Sequence, residues 1–215
     1  MSLFIMLLRK VKQSIGKAVC CGLGTGIGRE KSRKFRPNWL ITPFMDAEIR
    51  NAQGEKLDYS FHAAKSNSPF TVIIGHGVTA NKDRSFVETL AHSLSIAGIP
   101  ALRFSFSGNG GSEGSFEDSC ITKEIEDLGA VIDALRGAGR QIAYVGHSMG
   151  GAVGVKRAVM DDRIELLVSL AGMVHTKKFA EVEFGKETPG EGFMWGNNEC
   201  PLSQSFVEDM NTVGT

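Results

Sequence analysis

Apolar positions change their period along the chain, and each change marks a new element. Phe4, Leu8, Val11 and Ile15 recur at helical spacing, with Arg9, Lys10, Gln13 and Lys17 opposite them. That spacing predicts a basic amphipathic helix at the start. Gly22-Leu-Gly-Thr-Gly-Ile-Gly28 then reads as a linker: it lacks the G-x-G-x-x-G order, and no predicted strand leads into it. Asp46–Arg50 and Lys56–Ala63 read as strands around the turn Asn51-Ala-Gln-Gly54. Phe70–Gly75 is a short apolar run, the signature of a buried strand, and Pro100–Phe106, the apolar Gln141–Gly146 and Ile164–Leu170 read as further strands. Helices are predicted between them, over Ser85–Ala97, Ile121–Leu135 and Met149–Met160. After Gly172 the pattern weakens to two helical pieces, Lys177–Phe184 and Ser203–Met210. Strands alternating with helices predict an α/β fold, a mostly parallel sheet covered on both faces.

Composition narrows the class. The chain has 215 residues, an apolar share of 42% and a charged share of 22%, ordinary values for a globular protein. The formal net charge is zero, but residues 1–36 hold nine Lys/Arg and a single acid, Glu30. Such a basic head reads either as a surface for peripheral membrane contact or organelle targeting, or as a helix packed on its own domain or a loose tail. Lys31–Arg36 lacks aromatic residues in a platform and a companion patch, so no nucleic-acid partner is expected. The four cysteines, at 20, 21, 120 and 200, show no C-x-x-C spacing. Neither a zinc site nor a disulfide framework is expected, and a reducing, cytoplasmic setting is the default. The expected organisation is a basic segment and linker over 1–37, a core over 38–174 and a partial cap over 175–215; oligomeric state is not legible.

The chemistry centres on Gly146-His147-Ser148-Met149-Gly150-Gly151, a G-x-S-x-G pattern at a predicted strand-to-helix turn. A serine hydroxyl becomes a useful nucleophile when a sharp turn presents it and a base takes its proton. Gly146, Gly150 and Gly151 are expected because side chains there would strike the neighbouring strand and helix. His76 and Gly77, just after the run Phe70–Gly75, mark where a second backbone donor for an oxyanion is expected. The predicted pair of donors is the Val78 and Met149 amides. The substrate expected is a small acyl ester, with an amide or thioester as alternatives. Such chemistry needs no cofactor and no metal, and none is expected.

Three stretches carry a resemblance: His76–Asp83, Arg103–Gly114 and Gly146–Gly151. With their order and spacing, the chain resembles the α/β-hydrolase superfamily. Within it, the chain is similar to the serine-aminopeptidase-like and cinnamoyl (feruloyl) esterase-like branch. The resemblance covers about 47–170, with a fainter match to a cap in 175–211. It implies an α/β-hydrolase fold and an acyl-Ser148 intermediate. Ser105 stands where that branch usually has Asp.

The resemblance also implies the order serine, acid, histidine, with the last two on loops after two further strands. The sequence to Thr215 reads as a hydrolase truncated after the sixth strand and the start of the cap. The alternative is a short, non-catalytic binding protein on the same fold. No base is assigned: His147 should point away from its neighbour Ser148, His76 belongs to the oxyanion turn, and His62, His92 and His175 lie elsewhere. Glu208 and Asp209 are expected on a solvated face. A sheet missing its last strands is expected to leave an open edge.

Overall fold

The computed structural model describes residues 5–9, 48–65, 68–135 and 141–214, the first of these in backbone terms. The predicted linker and the basic stretch lie outside the described residues, as does the remainder of the predicted N-terminal helix.

Six strands form the main sheet: β1 (Ile5–Arg9), β4 (Tyr59–His62), β5 (Phe70–Gly75), β6 (Ala101–Phe104), β7 (Gln141–His147) and β8 (Ile164–Leu170). Their order is β1-β8-β7-β5-β6-β4, and β6, β5, β7 and β8 run parallel. Strand β4 closes one edge antiparallel to β6. Strands β2 (Ile49–Arg50) and β3 (Lys56–Leu57) pair separately and keep the predicted turn, but the predicted strand Lys56–Ala63 is split, and its second part, β4, pairs with β6 instead. The turn follows from the sequence: Asn51 Oδ1 accepts the N–H groups of Gln53 and Glu55, and Gly54 supplies a positive φ of 80°.

The helices are α1 (Ser85–Ile96), α2 (Ile121–Ala134), α3 (Met149–Met160), α4 (Thr176–Phe184) and α5 (Gln204–Thr212). Alternation along the strands decides which helix each face meets. Ile73, Leu102, Ile142, Tyr144 and Leu167 join the large core with α2 and α3. Val72, Ile74, Ala101 and Ala143 join the smaller one with Val87 and Ala91 of α1. Two-sided burial explains the nearly unbroken apolar runs of β5 and β6.

Helices α4 and α5 rest on the same large core through Ala180, Phe184, Phe206 and Met210. Polar contacts fix their seat. The N-terminal residue of α2 has no side-chain cap of its own, since Cys120 makes no such bond. Asp209 of α5 fills that role, accepting the Thr122 N–H at 3.1 Å and the Thr122 hydroxyl. The expectation of a solvated face thus fails for Asp209, while Glu208 is exposed. The Thr176 hydroxyl meets the carbonyls of Met210 and Val213, both at 2.8 Å, and locks α4 to the end of α5.

The prediction for the start of the chain is overturned within the described residues. Ile5–Arg9 is a strand, not a helix, and pairs antiparallel with all of Leu166–Leu170. The expected open edge of β8 is therefore occupied by the start of the chain. A run of apolar residues suits a strand as well as a helix, and β8 offers a row of peptide groups that a helix would leave unpaired. Among the described residues, no helix is long and apolar enough to cross a membrane.

Candidate active site

Strand β7 ends at His147, α3 begins at Met149, and Ser148 is the single residue between them. Its φ of 52° and ψ of −117° are rare for a residue with a side chain and cost about 1–3 kcal/mol. The surroundings hold it there. Its N–H donates to the Leu170 carbonyl at 3.0 Å, and its carbonyl accepts from Gly151 at 2.9 Å and Met173 at 3.1 Å. Thus the end of β8 and the segment after it fix the turn.

Close approach explains the glycines. A Cβ on Gly146 would lie 2.1 Å from the Gly150 carbonyl oxygen. One on Gly150 would lie 2.3 Å from the His76 carbonyl oxygen, so α3 packs directly on the backbone after β5. Gly151 is buried inside α3, against Ser169. Gly77 faces Ser148: a Cβ on it would be 3.0 Å from the serine Cβ. The structure therefore sets Gly77 against Ser148 and packs Gly150 on the backbone of Gly75 and His76. Among the described residues, neither the Val78 N–H nor the Met149 N–H is given to a protein acceptor.

His76 holds this turn. It is buried, and the Phe106 N–H donates to its Nε2 at 3.0 Å, which places the ring proton on Nδ1. Nδ1 then donates to the Gly77 carbonyl at 2.8 Å. Burial pushes the imidazole pKa down to about 4, so the ring is neutral near pH 7. His147 is half-buried, packs its ring on Phe86 of α1 at 4.9 Å, and is likewise lowered by burial. The following loop leans on a charged network: Lys82 pairs with Asp58 at 3.3 Å and with Asp83 at 2.9 Å, and Arg103 binds Asp83 and the Lys82 carbonyl. Ser105 fits here, accepting the Lys82 N–H at 3.1 Å.

All five histidines of the chain are described, and none is hydrogen-bonded to Ser148 Oγ. His62 Nε2 accepts from Arg103 at 3.0 Å, His92 is exposed on α1, and His175 is exposed ahead of α4. A surface cavity of about 360 Å³ is lined by His175, Thr176, Lys177, Lys178, Glu181 and Asn211.

Sequence reasoning passed over two residues near the turn. Tyr144 counts in the sequence only as part of an apolar strand, yet its hydroxyl donates to the Gly150 carbonyl at 2.9 Å. A phenol inside an aliphatic run is itself a signal, because a buried hydroxyl seeks a partner. Thr79, at φ 56°, makes the turn after Val78, and nothing in its residue type announces that.

Comparison with known proteins gives the chain its family. Residues 67–188, more than half of the chain, match the model of the family described as serine aminopeptidase, S33. Among solved structures, Est1E from Butyrivibrio proteoclasticus with bound ferulic acid superposes at a TM-score of 0.64 and 26% identity, over 77% of this chain and 71% of that one. The α/β hydrolase GrgF from Penicillium sp. sh18 gives 0.58 at 20% identity, over 78% and 64%. Mouse alpha/beta hydrolase domain-containing protein 10 gives 0.56 at 19%, over 79% and 70%. No curated protein matches the chain.

Proposed function

Because the chain belongs to the serine aminopeptidase (S33) family of α/β hydrolases, we propose that it hydrolyses a carboxylic ester through an acyl-Ser148 intermediate. One observation carries the reading. Ser148 is held at a positive φ on a strand-to-helix turn and faces Gly77, and the N–H groups that follow each of these two residues, those of Met149 and Val78, are given to no described acceptor.

The reaction follows from that arrangement. Ser148 Oγ adds to the acyl carbon while its proton passes to a base. The carbonyl oxygen becomes an oxyanion and takes hydrogen bonds from Val78 and Met149. The α3 N-terminus favours the same charge. Collapse breaks the ester bond, the alcohol leaves with a proton, and water then releases the acid from Ser148. Each donor of this kind is worth about 3–4 kcal/mol of barrier. His76 orders the turn and does not act as base, since both of its ring nitrogens are engaged. Esters of hydroxycinnamic acids are the first class to assay, on the strength of the ferulic acid bound to Est1E.

Fluorophosphonate labelling of the protein in an extract of its source cell, read by intact mass and peptide mapping, tests the assignment. A tag on Ser148 is expected. Ser148→Ala should remove the tag and lower ester turnover on the order of 10⁶-fold, with the fold intact; retained turnover would sink the proposal.

A second reading has one observation in its favour: none of the five histidines is bonded to Ser148 Oγ. It makes the chain a non-catalytic binding protein on the same fold. Binding of a hydroxycinnamate without any phosphonyl adduct would select it.

A further inference from the structure

Tyr144 sits in β7, on the face that meets α3, and is fully buried. Its ring passes beneath α3: a Cβ on Gly154 would lie 2.4 Å from its Cε1. Its hydroxyl emerges between two backbones. On one side it donates to the Gly150 carbonyl at 2.9 Å. On the other it touches Gly75, where an added Cβ would be 2.0 Å from the phenol oxygen.

Those two contacts lie at the roots of the two amides. Gly150 directly follows Met149 in the first turn of α3. Gly75 ends β5 and leads through His76 and Gly77 to Val78. A leucine or phenylalanine would fill the strand's volume but leave this junction without a bond. Burial, with the Glu124 carboxyl nearby, pushes the phenol well above its ordinary pKa. The hydroxyl therefore keeps its proton and remains a donor.

We infer that Tyr144 is a positioning residue that sets the separation of the Val78 and Met149 N–H groups by bracing Gly150 against Gly75 from beneath the turn. The inference rests on the hydrolase reading for its catalytic meaning, but its geometric content stands apart from it. Hydrogen bonds to an oxyanion matter more in the transition state than in the bound ester, so a brace of this kind acts on kcat rather than on KM.

The test is Tyr144→Phe, which removes one oxygen and keeps the ring. In the full chain, kcat for ester turnover is expected to fall roughly 10- to 100-fold, with KM within about twofold. The amide resonances of both Met149 and Val78 should move, and their hydrogen exchange should quicken. A loss of turnover that merely follows a lower melting temperature, with both resonances unmoved, would overturn the proposal. If the wild-type protein shows neither turnover nor a phosphonyl adduct, the hydrolase reading fails, and the two resonances alone decide the brace. Should Tyr144→Phe not fold, Tyr144→Leu is measured in the same way. If neither variant folds, Tyr144 serves stability alone and the inference fails.

Discussion

At the scale of single residues, the turn beside Ser148 depends on one protonation state. His76 is neutral in the native protein because burial disfavours its charged form, with a pKa of about 4 against an ordinary 6.5. The unfolded chain therefore binds this proton near pH 6.5, while the folded chain resists until about pH 4. Stability from this group is complete above the upper value and declines as pH falls through the window. The full loss is about 3 kcal/mol. Denaturant midpoints measured from pH 7.5 to 4 should fall accordingly, and NMR titration should place the His76 midpoint at the acid end. A midpoint near 6.5 would contradict the bonding described for its two nitrogens. The sequence announced that His76 belongs to the turn, but not that its ring bridges the Gly77 carbonyl and the Phe106 amide.

At the scale of elements, most boundaries were legible. Met149–Met160 and Ile164–Leu170 fall where apolar periodicity put them, and α1 stops before Gly98. The N-terminal segment shows where periodicity stops being informative. Phe4, Leu8, Val11 and Ile15 fit a helix, yet Ile5–Arg9 pairs with β8. Helix α5 shows the same limit. Asp209 looked like one more surface acid, but it caps α2 from another element, 87 positions from Thr122. Asp209→Ala should cost about 1 kcal/mol, the usual value of a lost cap. Hydrogen exchange should show faster exchange at Thr122 and across α5, with the sheet unchanged. An unaltered Thr122 amide would mean the contact contributes nothing.

At the scale of the whole molecule, β1 closes the sheet on the β8 side while β4 closes it on the other. An uncovered β8 would present its peptide groups to any other strand, including one from a second copy. Deleting residues 1–9 should therefore convert a well-behaved species into one whose apparent mass rises with concentration, as read by light scattering after size exclusion. A deletion variant with the mass behaviour of the full chain would show that β1 is dispensable as a cover.

What the sequence determined by itself is local or periodic. The alternation of strands and helices, the strand-to-helix turn at Ser148 and the glycines around it follow from side-chain size and spacing. These are properties of neighbours along the chain. The family's three stretches were also legible, because each is a contiguous run. Only the tertiary structure decided which groups complete one another across the chain. Tyr144 under Gly75, His76 against Phe106, Asp209 on Thr122 and Ile5–Arg9 beside β8 all join distant segments. The reason is physical: a buried donor or an open strand edge requires a partner, but its own residue type does not say which one the fold will bring.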